Sequence, residues 1–471
     1  MTPTANSRAA QRGSTLVIVL WIAFGLVSIT LYFAHSMSFE LRASDNRVCG
    51  LAAEQAIDGA ARYVSSLLAN LPTNGIMPDP TTYACEAVPV GESHFWLIGR
   101  DTNSSIGPAQ VSFGLVDEAS KINLNAANSN MLVCLPRMNL DLTQAILDWR
   151  DTNGGSFSQT FYAMLHPPYQ CKCSPFETVD ELRLLYGADM ETLAGEDANR
   201  NGVLDPNESD ENHDSQLNPA VLDCVTVYSR EPITNVDGTV LLNIRTLSAT
   251  SSGPLRSLME TNLSAGRPEQ ILQKLGLVAA PSAPSRSTPG RGATPAAAAA
   301  SVTVTIRSPL DFYIKSGMTV DEFPSIANKI TVTNGTYIEG RINVNTAGPD
   351  VLACLPGISD TTDLAQTLVS YRQMNPDKLG SIAWIVEALG PDNPALAALR
   401  TNDCITTLSY QFSADVAALG PHGRGYRRTL FVFDTCDGSP RIVYRQDRTH
   451  LGWALGKDIR QVWVLDKQPG T

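Results

Sequence analysis

The chain has 471 residues, 43% of them hydrophobic and 17% charged, enough to bury more than one core. Its formal net charge of -12 and pI near 5.0 weigh against a nucleic-acid-binding surface, which needs a local basic excess. Nine cysteines are many for a reducing compartment and ordinary in an oxidising one.

The first element is apolar. Arg8 and Arg12 are the only charges ahead of an uncharged run from Gly13 to Phe39. Its centre, Ser14 to Phe33 (STLVIVLWIAFGLVSITLYF), supplies about the 20 residues a helix needs to cross a bilayer. The arginines precede it and the first acid is Glu40, so a short cytoplasmic N-terminus and export of everything after His35 are expected. A secretory signal peptide is the rival reading, but its apolar region is usually about 7–15 residues and ends at a small-x-small cut. Ala34-His35-Ser36 is a poor match to such a cut.

The helical pattern continues from Glu40 to Leu71. Leu41, Val48, Leu51 and Ala52 form one stripe, followed by Ile57, Ala60, Ala61, Val64, Leu67, Leu68 and Leu71, and Pro72 ends it. Span and continuation together predict one helix of about 85 Å at about 1.5 Å per residue. A leader ending Arg12-Gly13, then a helix half apolar and half amphipathic, resembles a type IV pilin or a type II secretion pseudopilin. The resemblance implies a prepilin peptidase cut between Gly13 and Ser14. Most members carry a glutamate at the fifth residue after the cut, where this chain has Ile18. A carboxylate in hydrocarbon is costly unless paired, and in the family it meets the amine of the preceding subunit. A large chain without it resembles the GspK family of minor pseudopilins, which occupy the tip of the type II secretion pseudopilus.

Strand-like segments follow at His94–Ile98 and Gln110–Val116. An internal repeat comes next. Lys121–Pro136 (KINLNAANSNMLVCLP) aligns without gaps to Arg341–Pro356 (RINVNTAGPDVLACLP). An amphipathic helix follows each copy, through Leu142, Ala145, Ile146 and Trp149 in one and Leu364, Leu368 and Tyr371 in the other. Each closes on a similar phrase, Leu222–Thr226 (LDCVT) and Asn402–Thr406 (NDCIT). These are duplicated helical units. Leu242–Thr246 (LNIRT) echoes the opening of a degenerate middle copy, Gln270–Leu275 its first helix, and Ser308–Phe312 and Asn328–Val332 its end. Ala279–Ala300, rich in Ala, Pro, Ser and Gly, splits that copy as a flexible insertion.

The outer copies each hold one cysteine in the opening segment and one in the closing phrase, and the middle copy holds neither. Joint presence and absence predict the bridges Cys134–Cys224 and Cys354–Cys404, closing loops of about 90 and about 50 residues. Cys171 and Cys173 are too close in sequence to pair easily, while Cys85 and Cys436 are a further possible bridge.

The units resemble helix-hairpin-helix modules, the SAM-like domains of this secretion family. Arg341–Ala347 followed by Leu355–Ile358 also resembles the opening of DNA-binding hairpins in competence receptors. DNA-binding hairpins hold a phosphate on a glycine-rich turn flanked by cations. Here the turns are Ser359–Asp363 (SDTTD) and Arg137–Asp141 (RMNLD), whose aspartates repel phosphate.

Asp197–Glu208 (DANRNGVLDPNE) matches the 12-residue calcium loop position by position. Asp197, Asn199, Asn201, the carbonyl of Val203, Asp205 and Glu208 are the predicted oxygen ligands, with Gly202 at the turn. Hard oxygen donors without His or Cys point to calcium rather than zinc, in a structural role. The acidic run Asp210–Asp214 reads as a solvated loop, and helices to flank a full EF-hand are not evident.

Strands resume at Thr406–Ala414, Arg428–Phe433 and Arg441–Arg445, the last two joined through Asp437-Gly438 as a hairpin. The six histidines are scattered, and neither a His-Glu-x-x-His motif, a nucleophile elbow nor a phosphate loop occurs, so an enzyme is not expected.

The predicted fold is α+β, a type IV pilin-like long helix and antiparallel sheet with a large inserted block of SAM-like units. The segments are a leader (1–13), the membrane (14–34) and exported (35–71) parts of the long helix, and a first sheet portion (83–118). A first unit with the calcium loop (119–229), a middle unit (230–335), a last unit (336–404) and a second sheet portion (405–471) follow. The resemblance implies a non-enzymatic tip subunit anchored in the inner membrane, with its body in the periplasm. Its partners would be other minor pseudopilins, the prepilin peptidase and the inner-membrane assembly platform, with no nucleic acid. The competing readings are a DNA-uptake receptor and an adhesive minor pilin.

Overall fold

The computed structural model describes residues 11–103, 110–154, 159–235, 238–278, 303–359 and 362–465. Most of the predicted leader and the predicted insertion at 279–300 lie outside the described residues.

Helix α1 runs unbroken from Gln11 to Ala69, 59 residues, and stops just before Pro72 as the pattern requires. It is long and apolar enough to cross a membrane, and its side chains from Thr15 to Ser44 are all exposed. Burial begins at Cys49 and continues through Ala53, Ala56, Ile57, Ala60, Ala61, Val64 and Leu68. The predicted stripe is therefore right from Ala52 onward, whereas Leu41, Val48 and Leu51 remain exposed. The small alanines on the buried face let the helix axis approach the sheet closely.

The sheet has six antiparallel strands: β1 (Val88–Val90), β2 (Ser93–Ile98), β3 (Val116–Asp117), β4 (Gln411–Leu419), β5 (Arg427–Asp434) and β6 (Arg441–Asp447). The order is β1-β2-β4-β5-β6, with β3 also paired to β4. Strands from both ends of the chain thus meet in one sheet. Period-two alternation sends Phe412, Ala414, Val416 and Ala418 of β4, with Phe95, Leu97, Phe431 and Phe433, onto α1. Ser413, Asp415, Ala417 and Leu419 occupy the opposite face. The β5–β6 hairpin turns at Gly438 (φ +85°), with a bulge at Val432/Phe433.

Two strand expectations need correction. The predicted strand 110–116 is reduced to a bridge between Phe113 and Ile98 and the short β3, because a Gly114 at φ +148° breaks the extended run. The predicted strand 406–414 is two elements. Ile405–Thr406 pairs with Ile342–Asn343 of the helical block, and β4 starts only at Gln411. Between them the Thr406 hydroxyl accepts the Leu408 N–H, turning the chain.

At the far end of β4 the chain closes on α1. Gly425 has φ +70°, and any Cβ there would lie 2.4–2.5 Å from the Cys49–Gly50 backbone, so this contact requires glycine. Arg424 pairs with Asp45 of α1 beside it.

The segment between β3 and β4 forms a helical block around one continuous core. Three parallel two-residue ladders recur in it: Ile122–Asn123 with Val225–Thr226, Leu242–Asn243 with Ile330–Thr331, and Ile342–Asn343 with Ile405–Thr406. Their asparagines at 123, 243 and 343 each accept the N–H two residues on, at Asn125, Arg245 and Asn345. In the outer copies an arginine at the end of the following helix clamps the turn. Arg150 donates to the carbonyls of Leu124 and Ala127, and Arg372 to those of Val344 and Ala347. The buried carbonyls of each repeat phrase thereby find donors.

Asp117 of β3 ties the last copy to the sheet. Its carboxylate accepts from Asn343, Thr346, Ser409 and the Ala119 N–H. Full burial nevertheless pushes its pKa up from 3.8 to about 6, the four donors only opposing the rise. The folded state then binds the proton more tightly than the unfolded state. Stability from this group is present below pH 4 and is lost as pH rises through about 6, by about 3 kcal/mol at about 1.4 kcal/mol per pH unit. Denaturant titrations of Asp117→Asn between pH 4 and 7 should lack this falling component. A variant with the same pH slope as the parent would contradict the assignment.

Candidate metal centre

The predicted loop lies between a short helix, Met190–Ala194, and Val221–Cys224, with no helix directly after it among the described residues. Gly195 (φ +58°) ends the first helix, and the chain then turns through left-handed Arg200 (φ +56°) and Gly202 (φ +84°). The left-handed backbone at residue 202 favours glycine, while the nearest atoms to a Cβ there belong to the movable Arg100 side chain.

The loop closes on its own side chains. Asp197 accepts the N–H groups of Asn201 (2.9 Å) and Gly202 (2.8 Å), and Asn201 Oδ1 accepts that of Val203 (3.0 Å). Glu208 accepts the N–H groups of Asn199 (3.0 Å) and Asp205 (2.9 Å). Both asparagine amides donate to Asp205 Oδ2, at 2.7 Å from Asn199 and 2.9 Å from Asn201. All six predicted positions therefore belong to one interlocked ring. Among the described residues no three His, Cys, Asp or Glu side chains gather as a metal cluster. Two of the loop's donors are asparagine amides and one is a carbonyl.

One atom tests whether a cation fits. Asn199 Oδ1 is buried and has no hydrogen-bond partner. An oxygen kept from water without a partner costs about 1–3 kcal/mol. Calcium takes several such oxygens at about 2.3–2.6 Å, closer than a water could sit. Burial pushes the Asp197 carboxyl up, with Arg100 opposing and Asp223 adding to the rise. Burial raises Glu208 likewise, against the N–H groups of Asp205 and Asn199. Carboxylates in that condition are short of positive charge. The residues fit calcium.

Three residues invisible to local spacing hold the loop from the sheet side. Arg100, just past β2, donates to the Arg200 carbonyl (2.9 Å) and lies 3.6 Å from the Asp197 carboxylate. Arg428 of β5 donates to the carbonyls of Asn199 and Arg200. The Trp453 carbonyl accepts from Asn199 Nδ2 (3.2 Å). Arg428 is wholly buried and forks onto Asp415 of β4, at 2.8 and 2.7 Å. Burial alone would raise Asp415, but Arg428 and Arg448 outweigh it and hold this carboxyl far below the usual range. An acid inside the otherwise apolar or small-residue run of β4 was the available signal.

The predicted processing pair, Gly13 and Ser14, lies in the first turn of α1. The predicted cystines are not formed: all nine cysteines are free. Cys354 donates within its own segment to the Asp350 carbonyl (3.2 Å). Burial, then the charge of Cys134, then Asp350 raise its pKa. Burial, Asp223, Asp350 and Cys354 raise that of Cys224. The thiols felt by Cys354 thus belong to the first copy, and Cys404 is raised by burial and Asp403 without another thiol. Cys85 and Cys436 are also unbridged, and Cys171 donates to the Asp148 carbonyl.

No protein-family model matches the chain, and no curated protein matches it. Among solved structures, it is similar to a chain of the GspK-GspI-GspJ complex from the enterotoxigenic Escherichia coli type 2 secretion system. The alignment covers 88% of this chain and 99% of that one, at 9% identity and a TM-score of 0.35.

Proposed function

We propose that the chain is a minor pseudopilin of a type II secretion system, of the GspK kind, seated at the pseudopilus tip. The observation that carries this reading is α1, one uninterrupted helix whose first half is apolar and exposed while its second half is seated on an antiparallel sheet. In this reading residues 14–34 lie in the inner membrane, the N-terminus is cytoplasmic and the body is periplasmic. Prepilin peptidase removes residues 1–13. Ile18, in place of a glutamate, leaves no carboxylate in the bilayer to meet the amine of a preceding subunit, which suits a subunit assembled first. The helical block beside the sheet would obstruct a subunit stacked above, so the chain caps and helps initiate assembly. Its partners are then other minor pseudopilins and the assembly platform. Calcium in the 197–208 loop is structural, held by Asp197, Asn199, Asn201, Val203, Asp205 and Glu208.

Deleting the gene and assaying culture medium and periplasm tests this. Type II substrates should disappear from the medium and accumulate in the periplasm, and Gly13→Asp should fail to restore export. Unchanged export, with DNA uptake lost instead, would overturn the proposal.

A further inference from the structure

The loop's contacts with the sheet show a second layer of organisation, and the inference here rests on the loop being a calcium site. Arg428 is fully buried, and its guanidinium is divided between two tasks. Nε and Nη2 hold both oxygens of Asp415, while Nη1 and Nη2 hold the successive carbonyls of Asn199 and Arg200, the latter at 2.6 Å. Those two carbonyls bracket the segment between the ligands Asn199 and Asn201. With Arg200 left-handed at φ +56°, its two peptide planes set the backbone from which the Asn199 and Asn201 side chains project. Asn199 Oδ1 is the buried oxygen without a partner.

We propose that Arg428 is a positioning residue for the calcium loop, so that calcium binding and seating of the loop on the sheet are one coupled equilibrium. The charge pattern suits this role. Asp415 offsets part of the Arg428 charge, so a cation arriving at Asp197, Asp205 and Glu208 meets an oriented donor whose repulsion is reduced. Arg448 also pairs with Asp415 at 2.9 Å, so Asp415 keeps one cation if Arg428 is removed. Arg100 and the Trp453 carbonyl complete the seat from β2 and from the chain beyond β6. Nothing in the loop's own spacing requires any of them. Residues that orient metal ligands typically change affinity by about 10–100-fold when replaced. Coupling is also reciprocal: whatever factor the seat contributes to calcium affinity, calcium returns to the seat.

The test uses the purified full chain in detergent, with calcium chloride titrated calorimetrically and amide hydrogen exchange followed with and without calcium. The parent should bind calcium, Arg428→Met should bind it about 10–100-fold more weakly, and Arg428→Lys should fall between. In the parent, calcium should slow exchange in β4 and β5 around Asp415 and Arg428 by at least about tenfold more than in the rest of the core, since a ligand held by a purely local loop would slow all globally exchanging amides alike. A parent that binds no calcium overturns the loop reading itself. A parent that binds calcium while Arg428→Met binds equally well overturns only the coupling. Should the methionine variant fail to fold, exchange in the parent decides: sheet amides slowed no more than the rest of the core refute the proposal.

Discussion

Replacing Arg341 by methionine is expected to cost about 3–5 kcal/mol near neutral pH, the usual penalty for breaking a buried ion network from one side. Arg341 opens the last repeat phrase, in the place that Lys121 holds in the first. Lys121 pairs locally with Glu118, but Arg341 is buried and reaches two carboxylates from distant parts of the chain. Nη1 binds Glu231, where the first copy leaves its closing ladder, at 2.9 Å. Nη2 binds both oxygens of Asp403, in the last closing phrase, at 2.7 Å. Methionine fills a similar volume but strands both acids. Burial already holds Glu231 above its ordinary pKa against the pull of Arg341, and losing the arginine raises it further. A carboxyl raised in the folded state contributes stability at low pH that is lost as pH rises. The deficit should therefore shrink between pH 7.5 and pH 5. Urea titrations at both values check this, and a cost under about 1 kcal/mol at each would contradict the network's role.

Gly340→Ala should be nearly as damaging, for a different reason. Residue 340 has φ +75°, and a Cβ there would come within 2.2 Å of the Ala126 Cβ in the first repeat phrase. The left-handed backbone costs about 1–2 kcal/mol for a residue with a Cβ. Forcing the outer copies apart adds about 1–3 kcal/mol. Ala126→Gly removes the methyl in the way, so the double variant should recover the packing share and keep the backbone share. A double-mutant cycle should give a coupling of at least about 1 kcal/mol, as for residues in direct contact. Additive effects would mean the two phrases do not touch.

Local patterns account for most of what could be read without coordinates. The three- and four-residue spacing and Pro72 place the end of α1 within two residues of its observed end at Ala69. Alternation with Asp437-Gly438 marks the β5–β6 hairpin. The spacing singles out 197–208 as a candidate calcium loop, and the hydrogen bonds among its residues are local ones. What was not legible depends on long-range packing. Arg428 and Trp453 meet Asn199 across 229 and 254 residues, and no local spacing encodes such a contact. Thr406–Ala414 looked like one strand because both of its ends are β-prone, yet they are committed to different layers. The spacing pairs cysteines within each copy, while the thiol charges that raise Cys354 and Cys224 act between the first and last copies.

A membrane-rooted pseudopilin requires the greasy start of α1 to stay attached to the folded body. Intact-mass spectrometry of the protein extracted from inner membranes measures this directly. The expected mass is that of a chain beginning at Ser14. A chain beginning near Ser36, cut free of its apolar segment, would contradict it.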